Sequence, residues 1–187
     1  MREPEAPGYC AASGGASVGV IARTAGVTKL VLYDHFASEL ALYQAVLESI
    51  RGELLSRGAA ISSELRGPEE RFRAAVDAFF SFAQEQPCAI RVLLHEPHED
   101  AAAEHVWRAV QNGASAGIAA FLETIWPVAQ GWTRIAAAEC IKSALHGLAL
   151  WWRAHPYVER QALTELVCQI AWDGLQARVP RQPENPV

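Results

Sequence analysis

The chain has 187 residues, a formal net charge of −5 and 51% hydrophobic residues. That length suffices for a core needing neither metal nor disulfide, and the Ala- and Leu-rich composition, with few β-branched runs, favours packed helices over sheets. No apolar stretch of about 18 residues lacks charge, which argues against a membrane span, and Met1 to Gly15 have no signal-peptide core, so a cytoplasmic location is expected.

Residues 1–16 are rich in Pro, Gly and Ala, lack periodicity and read as poorly ordered. Ser17 can cap a short helix from Val18 to Ala25, with Ile21, Ala22 and Ala25 facing inward. Gly26 suits the left-handed position that ends a helix. Val27 follows as a buried turn residue, and Thr28 can cap a second short helix from Lys29 to about His35. Ser38 can cap a longer one to about Arg57, where Leu42, Val46, Ile50 and Leu54 recur every four residues.

Gly67-Pro68 is a break, after which Glu69 to about Gln86 reads as a helix burying Phe72, Val76, Phe79, Phe80 and Ala83. Pro87 opens a short helix through Leu94. His95–Asp100 is a polar loop. Helices are then expected from about Ala101 to Ile125, from Thr133 to about His155, and from Pro156 to about Val179. The tail from Pro180 holds three prolines and should fray. No segment alternates cleanly as a strand would, so the class is all-α with eight or nine helices.

The segment Ser17 to Phe36 reads helix, tight turn, helix, with Gly26 at the turn. In a helix-turn-helix the second helix lies in the major groove. Leu32 and Phe36 would give its inner face, packed with Ile21, Ala25 and Val27. Lys29, Leu30, Val31, Tyr33 and His35 are left for the outer face. Outward aliphatics on so short a helix make sense against thymine methyl groups. An ordinary helical corner without a DNA role fits the same spacing. The charge gives no help, because residues 1–57 carry five basic and six acidic side chains.

The pattern Ile21-Ala22, Ala25-Gly26-Val27, Leu32-Tyr33, His35-Phe36, Ala37-Ser38 and Leu42 resembles the signature of the TetR family of transcription regulators. The helix order behind it is also similar, including Gly67-Pro68 before a Phe-rich helix. The resemblance implies an N-terminal helix-turn-helix DNA-binding domain over residues 1–47 and a helical effector-binding and dimerisation domain over 48–187. It implies that Ser17 caps the first helix beside a phosphate. Thr28, Lys29, Leu30 and Val31 would then stand at the bases or the adjacent backbone, and Tyr33 and His35 would bind phosphates. Packing alone for Tyr33 and capping alone for His35 are the alternatives.

Two departures stand out. The family usually has Ser-Lys-Glu where this chain has Ser38-Glu39-Leu40, and a carboxylate repels phosphate. Only seven residues, two of them prolines, precede Gly8-Tyr9, which leaves no room for the family's first amphipathic helix. The expectation is a truncated or misplaced start, or impaired DNA binding, and a weak complex with DNA.

The resemblance further implies a repressor released from a palindromic operator by a small apolar or aromatic effector. Phe79, Phe82, Trp107, Phe121 and Trp151 fall in the expected sensor region, although aromatics at helical spacing usually form core. A homodimer through the last two helices is expected. Ala144, Gly147, Leu148 and Trp151 would form one stripe, and Leu163, Val167, Ile170 and Leu175 the other.

The cluster His95-Glu96-Pro97-His98-Glu99-Asp100, with Glu104 and His105, lacks metal-ligand spacing and reads as a solvated loop. No nucleophile elbow, P-loop or paired-carboxylate motif is present, so neither an enzyme nor a cofactor is expected. Cys10, Cys88, Cys140 and Cys168 are far apart, form no CxxC pair and read as free, mostly buried thiols. A helical dimeric binding or interaction protein with impaired DNA binding is the alternative to a working regulator.

Overall fold

A computed structural model describes residues 28–62, 67–97 and 100–177. The readings placed on Ser17, on the helix from Val18 to Ala25, on Gly26 and Val27, and on the seven residues before Gly8-Tyr9 lie outside the described residues. So do His98, Glu99 and the tail from Pro180.

All regular structure among the described residues is helical. Helix α1 runs Lys29–His35, α2 Glu39–Ser62, α3 Pro68–Glu85, α4 Pro87–Leu94, α5 Ala101–Ile125, α6 Gly131–Ala154 and α7 Arg160–Val167. A π-helical turn, Cys168–Trp172, continues α7, and α8, Asp173–Gln176, ends the described chain. The starts follow from local chemistry. The Thr28 hydroxyl accepts the Val31 N–H at 3.3 Å, and the Ser38 hydroxyl accepts the Ala41 N–H at 3.1 Å. Asp100 accepts the Ala102 and Ala103 N–H groups at 2.8 and 3.2 Å. Pro68 and Pro87 stand at first helical positions, where the missing N–H costs nothing.

Two boundaries differ from the sequence reading by four or more residues. Helix α2 continues past Arg57 to Ser62, because Arg57 is anchored rather than frayed: its guanidinium pairs with Glu53 at 2.7 Å and Glu85 at 2.8 Å and lies 5.2 Å from the Phe82 ring centre. The last helix begins at Arg160, not Pro156. The intervening residues form a turn closed by the Val158 N–H on the His155 carbonyl at 3.1 Å, and the Trp152 indole donates to the Val158 carbonyl at 2.7 Å.

The described residues fall into two compact units. One joins the residues up to Ala60 with Ala78–Gly113. Leu42, Leu47, Ile50, Phe80, Phe82, Ile90 and Leu93 are buried in it. The carbonyl of Leu93, near the end of α4, accepts both the Trp107 indole N–H at 2.9 Å and the Gln111 amide at 2.8 Å. A helix-end carbonyl without an intrahelical partner is thereby satisfied.

The other unit joins Ile61–Asp77 with the chain from Ala114 onward. Phe72, Val76, Leu122, Ala138, Ala149, Leu163, Val167 and Trp172 are buried there. Arg73 pairs with Glu165, and Asp77 pairs with Arg160 at 3.1 Å and accepts the Thr164 hydroxyl at 3.3 Å. These contacts tie the first half of α3 to α7. No described helix is long and apolar enough to cross a membrane.

Cys88 is disulfide-bonded and Cys140 is exposed, which corrects the expectation of four free, mostly buried thiols; Cys168 is free and buried.

Candidate nucleic-acid interface and effector region

The seven residues of α1 divide by face. Leu32 and Phe36, four apart, are half-buried. Leu30 is 72% exposed, Tyr33 is 50% exposed, and Val31 and His35 also face outward. An apolar side chain left outward on a two-turn helix gains nothing from folding. This helix presents two, beside a phenol. Thr28 is exposed, and although its oxygen accepts the Val31 N–H, its own hydroxyl proton is left to donate. Glu39 is exposed in the first turn of α2 and adds negative charge next to this face. Lys29 opens α1.

The five aromatics expected to line an effector site divide between the two units. Phe82 is fully buried, with the Arg57 guanidinium over its ring. Phe79 is half-buried, with its ring centre 5.6 Å from that of Phe80. Trp107 is fixed by its bond to Leu93. These three lie in the first unit. Phe121, in the second, stacks on Phe72 with centroids 6.3 Å apart and receives the Arg71 guanidinium at 5.8 Å. Trp151, also in the second, is exposed and stacks on His155 at 4.0 Å.

A polar cluster in the second unit escaped the sequence reading. Lys142 is buried on α6 and its ammonium donates to the Ser115 hydroxyl at 2.7 Å and pairs with Glu139 at 2.9 Å. Ser115, also buried, donates to Glu139. The Ser115 hydrogen bond, then that from Lys142, holds the Glu139 carboxyl below its ordinary value. One turn on, burial lowers His146 from 6.5 to about 4, helped by the Lys142 charge and opposed by Glu139. The spacing of Glu139, Lys142 and His146 at three and four was a readable signal. Ser115 was not readable, because it comes from another helix.

The last two helices present a different stripe from the one expected. Leu163, Val167 and Leu175 are buried within the chain's own unit, so they are not available to a second copy. The outward positions of this segment are Ala162, Leu166 and Ile170, spaced by four, with Ile170 69% exposed. On α6, Ala144, Gly147 and Trp151 are exposed and Leu148 half-buried, as the expected stripe requires. Between the two helices lies an open groove of about 620 Å³, lined among others by Leu148, Trp151, Ala162 and Leu166.

No protein-family model matches the chain. Among curated proteins it is similar to the HTH-type transcriptional activator FasR of Mycolicibacterium smegmatis, with 27% identity over 83% of this chain and 71% of that one. It is also similar to the nucleoid occlusion factor SlmA of Vibrio cholerae, 30% identical over 39% of this chain and only 37% of that protein. Among solved structures, a transcriptional regulator from Rhodococcus sp. RHA1 superposes with a TM-score of 0.75 at 18% identity, covering 95% of this chain and 96% of the other. The fatty acid degradation regulator FadR of Bacillus halodurans gives 0.74 at 17%, covering 85% and 88%. A TetR-like regulator from Rhodococcus gives 0.70 at 21%, covering 94% and 99%. The chain is TetR-like: it has the all-helical fold of that family of transcriptional regulators.

Proposed function

We propose that the protein is a DNA-binding transcription regulator, acting as a homodimer whose hold on a palindromic operator is released by a small apolar effector. The observation that carries the reading is the outer face of α1, where Leu30, Val31, Tyr33 and His35 are turned out while Leu32 and Phe36 are turned in. On this reading Leu30 and Val31 meet base edges, and Lys29, Tyr33, His35 and the Thr28 hydroxyl hold the phosphates. Ser17, outside the described residues, would join them. The names of the similar proteins support a regulator, and FasR's name makes that protein an activator, so the assay must read binding rather than repression.

Dimerisation would use Ala144, Gly147, Leu148 and Trp151 of α6 with Leu166 and Ile170 of the last helix. Two copies of this pair would form a four-helix arrangement with two-fold symmetry, which matches palindromic half-sites. Effector binding would favour a dimer whose α1 helices no longer match the half-site spacing.

The test is selection of DNA from a random pool by the full chain, followed by fluorescence anisotropy over a salt series. An enriched palindrome with a steep salt slope is expected. A folded dimer that enriches nothing would replace this reading with that of a helical binding or interaction protein, in keeping with Glu39 beside α1.

A further inference from the structure

Among the described residues of the second unit, two buried donors have no acceptor. They are the Nε of Arg71 and the indole Nε1 of Trp172. Buried N–H groups are almost always paired, and leaving one unmade costs free energy that a suitable acceptor restores. Both donors sit around the same rings. The Arg71 guanidinium lies over Phe121, Phe121 stacks on Phe72, and the Phe72 ring centre is 5.6 Å from that of Trp172. Trp172 closes the π-helical turn, an irregularity that often marks functional sites.

The charge is also uncompensated. Among the described residues Arg71 has no carboxylate partner, whereas Arg73, two residues on, is paired with Glu165 and Arg160 with Asp77. Arg71 is half-buried as a residue, with its Nε fully buried. One available positive charge and one indole N–H, set among Phe72, Phe121 and Trp172, suit a ligand with one negative charge, acceptor oxygens and an apolar body.

We infer that Arg71 and Trp172 form the head-group site for a monocarboxylate with an apolar or aromatic body, the carboxylate taking both N–H groups and the body lying against Phe72 and Phe121. This deepens the effector part of the proposed function, but the binding is tested without DNA. A dianion such as a phosphate monoester would leave a second charge unpaired and should bind less well.

The experiment is titration calorimetry of the full chain with sodium 4-phenylbutyrate and sodium decanoate, and with their neutral primary amides. Each acid should bind at least about tenfold more tightly than its amide, as expected when a charge-assisted bond is replaced by a neutral one. Arg71→Met, which keeps an apolar stem on Phe121, should abolish that preference. Trp172→Phe should weaken binding of acid and amide alike. Arg71→Met should leave the melting temperature of the unliganded chain nearly unchanged, whereas Trp172→Phe also trims a buried ring packed on Phe72 and should lower it somewhat. Equal binding of acid and amide, no binding of either acid, or undiminished binding by Arg71→Met would overturn the proposal. Carboxylate binding without operator enrichment keeps this site and removes the regulator reading, and the converse result does the reverse.

Discussion

His146 shows how one buried ring sets a pH range. In the fold its proton affinity is lowered from 6.5 to about 4 by burial, with Lys142 adding repulsion. The unfolded chain takes up a proton as pH falls below 6.5, and the folded chain resists it until about 4. The stability contributed by the neutral ring is therefore fully present above 6.5 and lost as pH falls towards 4. The lowered carboxyl of Glu139 acts with the same sign below its ordinary 4.5. Melting temperature measured by circular dichroism should drop through this range, and His146→Gln should drop less. On α1, Tyr33→Phe should weaken operator binding by about 1 kcal/mol, the worth of one hydrogen bond, equally for matched and mismatched sites. Leu30→Ala should instead erode the preference for one base. Anisotropy on an operator and its single-base variants separates these effects.

At the scale of the helix, caps and buried stripes make separate contributions. Ser38→Ala removes the acceptor for the Ala41 N–H and should cost about 1 kcal/mol in urea unfolding. Ile50→Ala, at a fully buried position on the same helix, should cost about 2–5 kcal/mol. Both residues were legible in the sequence, Ser38 as a cap and Ile50 from the four-residue repeat. Leu47, equally buried, was not, since it falls outside that strict repeat. The last helix was misread for a related reason. Leu163, Val167 and Leu175 on one side, and Ala162, Leu166 and Ile170 on the other, are comparably apolar. Periodicity shows two stripes but not which one the chain keeps for itself. The buried Ser115–Lys142 bond was hidden because it joins positions far apart in sequence, and no local pattern announces a buried cation's partner.

For the molecule as a whole, the outward stripe is where assembly should be sought. Leu166→Glu with Ile170→Glu changes two exposed side chains, so the monomer fold should survive. The doubly substituted chain should sediment as a monomer, with its melting curve only slightly shifted, where the unaltered chain should sediment as a dimer. A dimer that persists would move the interface elsewhere.

The π-helical turn determines which residues end up on each side of the last helix. Leu163 and Val167 are buried four apart, as are Thr164, Cys168 and Trp172, and across the π-helical turn Trp172 stands five beyond Val167 and three before Leu175. The five-residue step accommodates one residue more than the usual spacing. Delete Gln169 and that step becomes the usual four, so the turn can close as ordinary α-helix with Trp172 still on its buried side. Two chains differing by that single codon would keep the same company for Phe72, one with the bulge and one without it.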